Sequence, residues 1–154
     1  MDAKTILTLT VRPTLALMGA RYQGQPAERL LVAIAMQESG LRARTQLGGP
    51  ARGLWQFEKA GVASVLMHPA TANAAGDLCS ALIYSPVPTL VHAAIADNDQ
   101  LACGIARLLI FTHPRPLPDT PDEGWAQYTD LWRPGKPRPE TWAQNWAAAN
   151  EAAH

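Results

Sequence analysis

The chain has no net charge. Its 13 basic and 13 acidic side chains are scattered over 154 residues, with no block of either sign. A nucleic-acid footprint needs a basic stripe and an anionic lipid surface needs a polybasic cluster, so neither partner is expected. No run approaches the roughly 20 consecutive apolar residues of a membrane span. The most apolar opening stretch, Thr5 to Ala20, is broken by Arg12 and Pro13. It lacks the charged-then-apolar order of a signal peptide and is read as folded protein. Only two cysteines occur, Cys79 and Cys103, in neither a Cys-x-x-Cys nor a zinc spacing. Both fall in apolar segments of helical character and are expected as buried thiols, a disulfide being the lesser alternative. The histidines (68, 92, 113 and 154) are too far apart to share a helix face, so metal binding has no support, and the three that sit beside a proline or in a helix (68, 92 and 113) are expected in surface or capping roles. Gly48-Gly49 does not follow a strand, which excludes the dinucleotide and phosphate-loop patterns. Period-2 strands, internal repeats and low-complexity linkers are absent from the sequence.

Helical periodicity recurs instead. Pro13 can begin a short helix ending near Gly19, and Pro26 begins the next, since proline suits the first helical position. Lys59 to Met67 reads as a third, and Ala70 to Leu82 and Thr89 to Ala96 as two shorter ones. Asp97, Asn98 and Asp99 offer an N-cap to Gln100 through Thr112, the strongest periodic segment after the Pro26 helix. Pro114, Pro116 and Pro118 end it. Thr120-Pro121-Asp122-Glu123 opens a helix holding Trp125, Tyr128 and Trp132, and Pro139-Glu140 opens the last, with Trp142 and Trp146 on one face. These two tryptophan pairs are expected to pack in the core. The expected fold is all-α, one compact domain over residues 1–154 with about seven to eight helices and little or no sheet.

One carboxylate stands out. Leu31, Ile34, Ala35 and Glu38 fall at i, i+3, i+4 and i+7, so Glu38 continues an apolar helical stripe and sits in the last turn before Gly40. Desolvation and the negative end of the helix dipole both push its pKa upward. A carboxyl protonated near neutral pH suits a general acid, whereas a solvated helix-end glutamate would not. A glycine-rich loop follows, Gly48-Gly49-Pro50-Ala51-Arg52-Gly53, and then Leu54-Trp55-Gln56-Phe57-Glu58. Glycine lets backbone approach a ligand closely. Trp55 and Gln56 offer a stacking face and an amide suited to sugar rings.

Glu38-Ser39 followed by Gly53-Leu54-Trp55-Gln56 resembles the Glu-Ser and Gly-Leu-Met-Gln motifs of soluble lytic transglycosylases of the lysozyme-like superfamily. Gln37-Glu38-Ser39, the loop through Glu58 and Trp132-Arg133-Pro134-Gly135-Lys136-Pro137 resemble, more narrowly, small peptidoglycan-degrading proteins of tailed phages and prophages. The likeness is specific over residues 29–66 and looser over 97–146. Trp55 replaces the motif methionine, and the family's Ala-Tyr-Asn motif is absent as such. Tyr128 is the nearest substitute; it either hydrogen-bonds near the Glu38 carboxyl or merely packs.

The resemblance implies a lysozyme-like fold with a cleft, no metal or organic cofactor, and Glu38 as the single acid/base. Glu38 would protonate the β-1,4 oxygen between N-acetylmuramic acid and N-acetylglucosamine. It would then take the C6 hydroxyl proton as the 1,6-anhydro ring closes. Substrate contacts are expected from Ser39, Arg52, Trp55, Gln56 and Tyr128, with Trp55 as a groove wall. Arg52 either bonds glycan oxygens or the acidic stem peptide, or stays a solvated loop charge. The close alternative is lysozyme-type hydrolysis with Glu58 as second carboxylate; if Glu58 points outward it is a solvated or capping charge. A non-catalytic virion or wall-binding protein is the third reading. The expected partners are peptidoglycan glycan strands and other phage virion proteins. Without a signal peptide the chain is expected in the virion or host cytoplasm, acting on the wall during infection or lysis.

Overall fold

Proline at position 13 does not start the first helix; it sits inside one. In the computed structural model, which describes residues 1–42, 44–46 and 49–154, α1 spans Ala3–Ile6 and α2 spans Arg12–Met18, joined without a break by a π turn at Leu7–Val11. The Arg12 N–H bonds to the Leu7 carbonyl, a wider step than the α-helical one. Proline has no N–H and its ring collides with the carbonyl four residues back. The π turn ends at this point, so the missing donor falls where the ladder changes register. Asp2 caps the start by accepting from the Thr5 N–H at 2.8 Å.

The remaining helices follow the sequence punctuation. They are α3 (Gln25–Ser39), α4 (Lys59–Met67), α5 (Ala72–Ala81), α6 (Pro88–Ala94), α7 (Asp99–Phe111), α8 (Pro121–Trp132) and α9 (Pro139–Ala152). A 3-10 turn, Ala20–Tyr22, joins α2 to α3. Counting α1 to α2 as one rod gives eight helices among the described residues, within the expected number. Asn98 caps α7 through the Leu101 N–H, and Thr120 caps α8 through the Glu123 N–H. Extended pairing among the described residues is limited to isolated bridges, Thr45 to Arg52 and Arg52 to Phe57. The fold is all-α and forms one domain. No helix among the described residues is long and apolar enough to cross a membrane.

Two helices form the centre. In α3 every residue from Leu30 to Ala35 is buried, and in α7 every residue from Leu101 to Leu108 is buried. Around α7 pack α2, α3, α4, α5 and α8, while α3 makes its most extensive contact with α9. Cys79 and Cys103 are free buried thiols in this core, as expected. His92 is buried too, with Nε2 2.9 Å from the Phe57 carbonyl, and so pins α6 to the loop before α4. It is a core tie rather than the surface or capping residue that its position suggested.

Candidate active site

Glu38 lies where α3 ends. Gly40 terminates the helix in the left-handed region at φ 61°, with its N–H on the Met36 carbonyl. The stripe Leu31, Ile34, Ala35 is fully buried, and Glu38 carries it to the surface of a cleft of about 1150 Å³. The cleft is walled by the Gln56–Glu58 segment, by α4 and by the C-terminal end of α8. The partly buried Glu38 carboxyl has its pKa raised from 4.5 to about 7, because burial removes water from the charged form. Two neighbours oppose that shift. The Tyr128 hydroxyl donates to Glu38 Oε1 at 3.1 Å, and the Arg138 guanidinium attracts the ionised form. Tyr128 itself titrates above its ordinary value, first from burial and then from the adjacent Glu38 charge, so it remains a donor.

Tyr128 is held by aromatic packing. Its ring stacks on Trp142 at 5.3 Å with an interplanar angle of 6°, and Trp125 and Trp132 flank it at 5.5 and 6.2 Å. The Trp142 indole N–H donates to the Pro121 carbonyl at 2.7 Å and fixes the stacking partner in turn. Of the two roles open to Tyr128 in the sequence, it has the hydrogen bond, and the packing serves to aim it.

A buried amide fixes the other side of Glu38. Gln37 is 2% exposed, donates to the Arg138 carbonyl at 2.9 Å, and accepts from Thr141 and Asn145 at 3.1 and 2.8 Å. The Arg138 guanidinium returns a bond to the Gln37 carbonyl at 2.8 Å. These reciprocal bonds tie the last turn of α3 to the first turn of α9 and set the guanidinium beside Glu38.

The segment Gly53-Leu54-Trp55-Gln56 is a tight turn closed by the Gln56 N–H on the Gly53 carbonyl at 3.0 Å. Gly53 has φ 78°, and a Cβ there would meet the Ile95 carbonyl oxygen at 2.8 Å, so position 53 admits only glycine without rearrangement. Arg52 and Phe57 exchange both backbone bonds at 2.9 Å below the turn. Gly48 of the glycine-rich loop lies outside the described residues.

This turn overturns the expectation for Trp55. Its side chain is fully buried and its indole N–H donates to the Leu31 carbonyl at 2.9 Å. An alternating extended strand would have sent one neighbour inward and the other outward, but the turn drives Leu54 and Trp55 both into the core. Trp55 is a core residue, and Trp132, whose indole N–H donates to the Trp55 carbonyl at 2.9 Å, lines the cleft instead, together with Phe57 and Tyr128. Arg52 is partly exposed but lines no groove beside Glu38, so its position favours the loop-charge alternative.

Gln56 and Glu58 do reach the cleft wall. The Gln56 amide is partly engaged, donating to the Gly53 carbonyl at 2.9 Å. Glu58 is exposed and stands at the N-cap of α4 without bonding its amides. Ser39 faces a second groove, and its hydroxyl is taken up locally, donating to the Ala35 carbonyl at 2.9 Å and accepting from the Leu41 N–H at 3.2 Å. It finishes the helix rather than orienting the acid.

Sequence reasoning missed Gln37, Arg138, Trp132 and Asp130 as groove residues. Asp130 lines the cleft with its carboxylate 3.0 Å from His113 Nε2. The one signal available was the adjacency of Gln37 to Glu38 and of Arg138 to the Pro139 helix start. Compared with family models, curated proteins and solved structures, the chain matches none.

Proposed function

We propose that the protein is a peptidoglycan lytic transglycosylase in which Glu38 acts as the single general acid and base. One observation carries the reading: a carboxyl with a pKa near 7, lining a cleft of about 1150 Å³ and holding a hydrogen bond from a buried tyrosine. Such a group keeps its proton to far higher pH than an ordinary carboxyl, so it can give a proton and take one back in the same turnover.

Glu38 donates its proton to the glycosidic oxygen between N-acetylmuramic acid and N-acetylglucosamine, and the C–O bond to the muramic anomeric carbon breaks. Positive charge at that carbon is met by the N-acetyl oxygen of the same sugar. The ionised Glu38 is then stabilised by the Tyr128 hydroxyl and the Arg138 charge. It removes the C6 hydroxyl proton as that oxygen closes on the anomeric carbon. Acid–base groups of this kind contribute roughly 10²–10⁴-fold to rate. Trp132 and Gln56 offer an aromatic edge and an amide to the sugars along the cleft. The resemblance adds a phage setting, with the enzyme acting on the host wall in infection or lysis.

Hydrolysis of the same bond is the second reading, favoured by the presence of two further carboxylates, Glu58 and Asp130, on the cleft wall. One that positioned water or trapped the sugar would make the protein a lysozyme.

Purified sacculi treated with the unmodified protein and with Glu38→Gln distinguish these outcomes by mass spectrometry of the soluble products. Products lighter by one water than hydrolytic muropeptides mean anhydro-ring formation. Products with a reducing muramic end mean hydrolysis. Absence of release by the unmodified protein, or equal release by Glu38→Gln, would overturn the role given to Glu38.

A further inference from the structure

A second groove of about 590 Å³ opens on the α9 side of Glu38, bounded by the end of α3 and the start of α9. Glu38 and Arg138 line both grooves, so the carboxyl stands at a junction between them. Their electrostatic character differs. The main cleft mixes signs, with Glu58 and Asp130 on its walls alongside Arg133 and Lys136. The second groove has two guanidinium groups, Arg42 and Arg138, and among the described residues that line it Glu38 is the one acid.

Neither arginine is in an ion pair among the described residues. Arg42 is exposed, and no hydrogen bond among the described residues engages its guanidinium. Arg138 spends one nitrogen on the Gln37 carbonyl and makes no other side-chain hydrogen bond among the described residues, while its charge also faces Glu38. Thr141, Gln144 and Asn145, on the first turns of α9, add neutral hydroxyl and amide groups to the same wall. A protonated Glu38 would leave the groove with two positive charges and no negative one. A groove with that balance fits an anionic group better than a neutral sugar face, because guanidinium forks match carboxylate geometry.

We infer that this groove is a carboxylate-recognising subsite, in which Arg42 and Arg138 hold an acidic substituent carried by a sugar bound next to Glu38. The inference rests on the glycan-cleaving reading of the main cleft and specifies what the substrate must carry. Two sources present the same chemistry in peptidoglycan: the lactyl carboxylate of an unsubstituted muramic acid and the carboxylates of its peptide. Arg42 is the informative residue, since Arg138 also ties α3 to α9.

Binding to the Glu38→Gln protein tests this without turnover. Its affinity is measured, with and without Arg42→Gln, for three soluble ligands. These are peptide-free muramic-acid strands, strands retaining their peptides, and neutral N-acetylglucosamine oligomers. Arg42→Gln is expected to weaken binding of the acidic ligands by about tenfold to a hundredfold, the worth of a charged hydrogen bond, and to leave the neutral oligomer unchanged. Loss confined to peptide-bearing strands assigns the groove to the peptide carboxylates. Loss confined to peptide-free strands assigns it to the lactyl carboxylate, which amide linkage removes once a peptide is attached; loss on both means that either carboxylate is held. Equal affinities with and without Arg42, equal weakening of all three ligands, or no binding to any of them overturns the inference. Failure of the catalytic reading looks different: the unmodified protein releases nothing from sacculi while the Arg42 dependence of binding stands.

Discussion

The Tyr128 hydroxyl donates to Glu38 Oε1 at 3.1 Å although the two residues are 90 positions apart. The bond favours the ionised carboxyl, so it opposes burial and holds the Glu38 pKa lower than burial alone would set it. Tyr128→Phe therefore raises that pKa. The protonated acid then persists to higher pH, and the alkaline fall in the rate of sacculus digestion moves upward. The rate at the optimum drops about tenfold as the base form loses its donor, within the range usual for one charge-assisted hydrogen bond. A pH–rate profile of the variant whose alkaline limb stays in place would refute the coupling.

The same carboxyl links activity to stability. Its folded-state pKa, about 7, lies above the ordinary 4.5, so between these values the folded protein holds a proton that the unfolded chain has released. Stability from this group is complete below pH 4.5 and is lost as pH rises through 7. The loss is about 3 kcal/mol at most, and smaller where solvent reaches the carboxyl. Glu38→Gln keeps an oxygen for Tyr128 but has nothing to ionise. Denaturant midpoints should match those of the unmodified protein near pH 4.5 and exceed them at pH 8, while activity falls by roughly 10²–10⁴-fold.

Trp55 separates packing from recognition. Because it is fully buried and bonded to the Leu31 carbonyl, Trp55→Ala is expected to cost about 3–5 kcal/mol. Trp132→Phe, at the cleft, should instead raise KM with a smaller change in stability. Thermal unfolding and steady-state digestion of both variants check the distinction. A stable Trp55→Ala with weakened substrate binding would reverse it.

Gln37 predicts a mixed phenotype. Gln37→Leu fills similar space but leaves the Asn145 amide without its Gln37 partner and removes one of the bonds made by the Arg138 carbonyl and the Thr141 hydroxyl, which keep their bond to each other at 3.0 Å. A loss of roughly 1–3 kcal/mol is expected for polar groups left without partners. The start of α9 is then held to α3 by fewer bonds, leaving Arg138 only its bond to the Gln37 backbone carbonyl, so the pH–rate profile should shift along with the loss of stability. Unchanged chemical denaturation would exclude this clip.

Much of the helical plan follows from local chemistry. Proline at helix starts, Asn98 and Thr120 as caps, Gly40 as a stop and the stripe ending in Glu38 are all properties of neighbours in the chain, and local backbone preference is enough to express them. Arg12-Pro13 misled for the same reason. Proline reads locally as a break, and only packing of Leu7, Val11 and Leu15 into one core makes a π turn cheaper than ending the helix.

The site divides along the same line. Sequence by itself determined an all-α chain with a carboxylate on an apolar stripe next to a helix stop, because a 3.6-residue period places side chains without reference to the rest of the molecule. Only the tertiary structure decided which groups meet that carboxylate. Tyr128 arrives from α8 and Arg138 from the start of α9, about 100 residues away along the chain. Trp55 turns inward because the φ 78° turn at Gly53 fits against the Ile95 carbonyl, a contact between segments far apart in sequence. Periodicity carries the direction of a side chain on its own helix; which distant segment fills the space it points into is set by the packing of the whole core.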